Sequence, residues 1–195
     1  MASLMGRVEE DGSQRLRWNP EALQEAINAG VVDKSSRYEI LDGELYEKIG
    51  QNWPHAFAVD ALLMAFRSLD PERFHTSIQN PLIIGQDSPE PDLKVLKGSL
   101  RMRRGHPTAD QALLIVEVSD STLAMDRKIK GPIYAAAAVP VYWIVDLSRS
   151  RVEVFSRPES GAYAETRIFE AGEEIPPAFE GAPSVPVSDL LAPEK

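Results

Sequence analysis

The chain has 195 residues, no cysteine, three histidines and a formal net charge of −9. Disulfides and thiolate metal sites are excluded, and the scattered histidines have no zinc-like spacing. So acidic a chain is poorly suited to broad, non-specific nucleic-acid binding, which needs positive charge to displace counterions. The hydrophobic and charged fractions, 43% and 26%, are those of one globular domain with a substantial core.

Met1 to Arg17 is charged and lacks apolar periodicity, which predicts a disordered tail and leaves 18–191 as a single domain. The opening stretch, MASLMGRVEEDGSQ, has no apolar signal-peptide core. The longest apolar run, Ile133 to Val145, contains Pro140 and is too short to cross a membrane, so a cytoplasmic protein with no membrane partner is expected. Asn19-Pro20 predicts a helix start, and Gly30 suits its end. Asp42-Gly43, inside Arg37 to Ile49, predicts a β-hairpin. Pro54 to about Leu69 has a helical apolar stripe.

Short strands are predicted over Arg73 to Ile78, Pro81 to Ile84 and Leu93 to Leu96. Lys97 to Asp110 is a loop rich in basic residues. Leu113 to Val118 reads as a strand buried on both faces. A helix follows, with its register left open because Gly131-Pro132 also suits a helix start. Strands come next over Tyr142 to Leu147, Arg151 to Ser156 and Tyr163 to Phe169, before a proline-rich extended tail. The order predicts a mixed-sheet α/β, or α+β, domain.

One carboxylate, Glu117, interrupts the buried strand Leu113 to Val118. An ionised acid there needs positive compensation. Asp92, at the start of another predicted strand, could converge with it on a hard cation such as Mg²⁺. Glu117 paired with a buried arginine, and Asp92 capping a turn, fits the same spacing. Lys128 and Lys130 are candidate cations beside such a site, and Asp126 shares a helix face with Lys130. Ser119, Ser121 and Thr122 suit helix capping, while Glu44 and His55 are candidates for supporting roles. The basic loop, Lys97 to His106, could contact phosphate or be a solvated charge run.

The stretch from Leu113 to Leu147 resembles the signature of the Uma-type restriction endonuclease family, within the PD-(D/E)xK nuclease superfamily. YEILDGEL, His55 at the next helix start and PDLKVL agree with it in the same order. The resemblance implies a restriction-endonuclease-like core, a mixed central sheet flanked by helices. It implies an Mg²⁺- or Mn²⁺-dependent endonuclease acting on DNA, plausibly as a homodimer. Asp92 and Glu117 then match the two acids, with the Val118 carbonyl as a further metal ligand. Ser119 stands where the usual lysine would be, and Lys130 of Asp126-Arg127-Lys128-Ile129-Lys130 takes that role, leaving Lys128 a bystander. Glu44 matches a third acid, with His55, Ser119 and Asp126 supporting the site or substrate. The chain departs from the family at Val141, commonly glutamate, and at Ala136-Ala137-Ala138, commonly Arg-Ala-Gly. A non-catalytic or regulatory protein that keeps the fold is the alternative, and the acidic charge favours it.

Overall fold

A computed structural model of the chain describes residues 5–8, 14–48 and 50–193. Where the sequence predicts a disordered tail, β1 (Met5–Val8) and β2 (Gln14–Arg17) pair antiparallel, so backbone pairing outweighs the polar composition there. The rest of that predicted tail, 1–4 and 9–13, lies outside the described residues, as does Ile49 of the predicted hairpin. Helix α1 (Pro20–Asn28) starts as predicted: the Asn19 side chain accepts the Ala22 amide at 2.8 Å. The hairpin β3 (Tyr38–Leu41) and β4 (Glu44–Glu47) turns at Asp42-Gly43, both in the left-handed region. Helix α2 (Trp53–Ala65) is capped by Asn52.

Six strands form the central sheet: β5 (Phe74–Ile78), β6 (Leu93–Lys97), β7 (Ala112–Ser119), β8 (Val141–Asp146), β9 (Arg151–Glu159) and β10 (Ala162–Glu170). Their spatial order is β10-β9-β8-β7-β6-β5. Only β7 and β8 run parallel, which requires the long helical crossover between them. One face packs on α2, with Leu62 and Phe66 against Leu93, Leu114, Val116 and Trp143. The other buries Ile115, Tyr134, Tyr142 and Ile144. The sheet is thus mixed and flanked by helices, as predicted.

Pro81 to Ile84 is not a sheet strand. It makes only isolated bridges, Ile83 with Thr108 and Ile84 with Asp87. Pro81 has no amide to donate, and Gln79 turns the chain at φ 48°. The tail contributes a two-residue pair, β11 (Glu174–Ile175) with β12 (Val185–Pro186), and buries Val187 and Leu190 against the α2 face.

The crossover answers the question of helix register. It runs as α3 (Leu123–Met125), one π turn (Asp126–Lys130) and α4 (Gly131–Ala136). In the π turn the Gly131 amide reaches five residues back to the Asp126 carbonyl. A proline in a regular helix would collide with the preceding turn, and widening that turn accommodates Pro132. The wide turn buries Asp126 and Lys130 and leaves Lys128 exposed. Among the described residues, no helix is long and apolar enough to cross a membrane.

Candidate active site

A cavity of about 250 Å³ opens where the start of β6, the end of β7, the hairpin and the crossover meet. Asp92, Glu117, Val118, Asp126, Lys130 and His55 all line it. The sheet register explains the first pair. Leu93 faces Val116 across an antiparallel ladder, so one step outward Asp92 stands opposite Glu117.

Each acid has one oxygen engaged by donors. Oδ2 of Asp92 accepts the Val118 amide at 2.9 Å and lies 3.2 Å from His55 Nε2. Oε1 of Glu117 accepts Lys130 Nζ at 3.0 Å and the Tyr134 hydroxyl at 2.8 Å. Among the described residues, Asp92 Oδ1 and Glu117 Oε2 take no hydrogen bond from protein.

The electrostatics follow from crowding. Burial pushes the Glu117 carboxyl up to about 8; Lys130 opposes this, while Asp92, Asp126 and Glu39 add to it. Burial also raises Asp126 against the pull of Lys130. Burial works against the Asp92 carboxylate too, but His55, Lys48 and the Val118 amide outweigh it and hold its pKa below the usual value. At Lys130 the burial penalty is exceeded by Glu117, Glu39 and Asp126, which keep the ammonium charged beyond the ordinary lysine range. More carboxylates than ammonium groups meet here, so without further positive charge one acid retains its proton.

The sequence model of a family described as "Uma2: Putative restriction endonuclease" matches residues 21–188. The chain belongs to the Uma2 family. A crystal structure described as a putative nuclease of DUF820 from Anabaena variabilis superposes with a TM-score of 0.65 at 17% identity. The match covers 84% of this chain and 94% of that one, so the two share a fold. No curated protein sequence matches.

Within this Uma2 chain the hairpin acid is placed differently from expectation. Glu44 is exposed and receives only the Tyr46 hydroxyl, at 2.9 Å. Of the hairpin carboxylates that line the cavity, Glu39 and Glu47, Glu39 is the buried one that meets Lys130. It is buried and accepts Lys130 Nζ at 2.9 Å and the Glu90 amide at 2.7 Å, with Lys48 Nζ at 3.7 Å. The register gives the reason: Glu39 pairs with Tyr46, which lines the cavity, while Glu44 pairs with Leu41. Glu44 is therefore on the same face but two pairs nearer the turn, roughly 7 Å along the strand. The signal for Glu39 was the one that identified Glu117, a lone acid in an apolar strand, here Tyr38–Leu41. Tyr134 could have been found four residues beyond Lys130, on the same helix face.

Ser119 is buried behind the cavity wall, 3.4 Å from the Thr122 hydroxyl. Thr122 in turn donates to Asp126 Oδ2 at 2.8 Å. The basic loop sits at the far end of β6, five residues from Asp92 and roughly 16 Å along the strand. Lys97 and Arg103 are bonded there to the Asp110 carbonyl and to Gln111.

The donor set suits a hard divalent cation: two carboxylates that line one cavity, each with one oxygen that takes no hydrogen bond from the described residues, in surroundings with excess negative charge. Among the described residues, no three His, Cys, Asp or Glu side chains form a ready-made cage.

Proposed function

We propose that the cavity hydrolyses phosphodiester bonds in DNA with Mg²⁺ or Mn²⁺ bound. The observation that carries this reading is how the hydrogen bonds divide over the two acids. Donors occupy one oxygen of each and orient the other, as expected of carboxylates held for an external cation. Asp92 and Glu117 would hold the ion with the Val118 carbonyl. A cation there supplies Lewis acidity at a phosphoryl oxygen and a more acidic bound water.

The chain's own groups do the rest. Lys130, kept charged by its acids, stabilises negative charge developing on the phosphoryl group. Tyr134 and Lys130 fix the Glu117 carboxyl, and His55 with the Val118 amide fixes Asp92. Among the described residues His55 Nδ1 is buried without a partner, which leaves it to a water or a substrate group. Glu39 and Asp126 keep Lys130 in place.

The test is plasmid nicking with Mg²⁺ or Mn²⁺ by the wild type, Asp92→Ala and Lys130→Ala. Activity in the wild type alone supports the assignment, and equal activity in all three removes it.

One observation favours a second reading, a non-catalytic protein that retains the fold. Glu47 and Asp120 line the cavity, and the basic loop lies at the other end of β6. A duplex would meet negative charge at this opening. Metal binding without cleavage of any DNA would support that alternative.

A further inference from the structure

Among the described residues, two lysines line the cavity: Lys130, and Lys48, which has no part in the chemistry proposed so far. Lys48 stands two residues beyond Tyr46, and its amide extends the hairpin ladder by donating to the Arg37 carbonyl at 2.8 Å. In that register Glu39, Tyr46 and Lys48 share one face of the hairpin, and all three line the cavity.

The two ammonium groups are engaged differently. Lys130 Nζ meets three acids, Glu39 at 2.9 Å, Glu117 at 3.0 Å and Asp126 at 3.9 Å, and its side chain is 5% exposed. Lys48 Nζ donates to a neutral acceptor, the Glu90 carbonyl at 2.7 Å. It approaches one acid, Glu39 Oε1, at 3.7 Å, which is beyond hydrogen-bond length. An ammonium has three donors, so two of those on Lys48 have no hydrogen-bond acceptor among the described residues. Its side chain is 15% exposed. At Asp92 the penalty of burial is offset by His55 and by the Lys48 charge, so that charge is felt at the acids of the site.

We propose that Lys48 touches the substrate, donating from the hairpin to a non-bridging oxygen of the phosphodiester in the cavity. Such an oxygen gains negative charge as the phosphorus is attacked, and a fixed ammonium with spare donors stabilises it. Lys48 keeps its proton throughout. Lys130, held by three acids, cannot turn all its donors outward, so the two lysines divide the work. The inference rests on the phosphodiester reading of the cavity, and a binding measurement separates the two.

The experiment is fluorescence anisotropy of a labelled DNA duplex with Ca²⁺ in place of Mg²⁺, with a gel to show that the strands stay intact. Lys48→Met should weaken binding about tenfold or more, and Lys48→Arg should keep most of the affinity. Lys128→Met, at an exposed lysine outside the cavity, should change it by about twofold or less. Lys48→Gln can still donate to the Glu90 carbonyl and lacks the charge, so it should behave as Lys48→Met does. If it binds like wild type, Lys48 only props the hairpin and the proposal is overturned. Mn²⁺ affinity without DNA should not fall in either uncharged variant, because a positive charge beside Asp92 has gone. A fall there, a wild type that binds no duplex, or equal binding by wild type and Lys48→Met also overturns it. A wild type that binds through Lys48 and nicks nothing with Mg²⁺ removes the nuclease reading and leaves the contact standing. Circular dichroism of each variant separates loss of binding from loss of folding.

Discussion

Lys130 Nζ lies 3.0 Å from Glu117 Oε1 at the floor of the cavity and 2.9 Å from Glu39 Oε1, so one ammonium ties the hairpin to the central sheet. Removing it would leave buried acids without their counterion. Lys130→Met should cost about 3–5 kcal/mol at pH 8. The loss should shrink at pH 6, where the crowded carboxyls can take protons instead. Lys128→Met, at an exposed neighbour, should stay within about 0.5 kcal/mol. Urea denaturation at the two pH values checks all three statements.

Metal binding should depend on pH through Glu117. Its carboxyl, pushed up to about 8, must lose a proton before it can serve as a ligand. Mn²⁺ affinity should therefore rise about tenfold per pH unit from pH 6 to 8 and level off above. The metal-free fold responds in the opposite sense. Unfolded Glu117 releases its proton near the usual glutamate value and folded Glu117 only near 8, so its contribution to stability falls as pH rises between the two. Calorimetric titration with Mn²⁺ reads the first effect, and thermal midpoints without metal read the second. An affinity that does not change from pH 6 to 8 would contradict this assignment.

Glu39 and Glu44 should behave differently despite sharing a hairpin. Glu39→Gln removes a charge from the Lys130 cluster and should lower nicking at least about tenfold. Glu44→Gln changes an exposed group and should leave nicking within about twofold. If Glu44 proves the more sensitive, the hairpin carboxylate has been assigned wrongly.

Tyr134→Phe deletes one of two donors to Glu117 Oε1 and leaves Lys130 on the same oxygen. The fold should lose about 0.5–1.5 kcal/mol. Mn²⁺ affinity should fall as well, because the carboxyl is held less firmly. Unchanged affinity with reduced stability would make Tyr134 a purely structural contact.

Ala138 occupies the left-handed region at φ 56°, between α4 and β8. An alanine there carries a penalty that glycine does not. Ala138→Gly should stabilise the chain by roughly 0.5–1 kcal/mol, measured by urea denaturation.

The sequence by itself determined the elements whose cues are local. Asn19-Pro20 starts a helix through its cap, Asp42-Gly43 turns a hairpin, and the β-branched run before Val118 forms a buried strand. It also singled out Glu117, a charge inside an apolar run, and Asp92 at a strand start, while the choice of Lys130 over Lys128 came from the resemblance to the family. Only the tertiary structure decided which hairpin acid joins them. Glu39 and Glu44 lie on one face, and strand register together with hairpin placement selects between them. The same holds for the continuous crossover helix, where a π turn accommodates a proline that a local reading takes as a helix start. Pro81 to Ile84 looked like a strand until the ladder offered it no partner. Strand partners and hairpin placement are set by groups distant in sequence, so the local pattern by itself left the hairpin acid and the unpaired segment undecided.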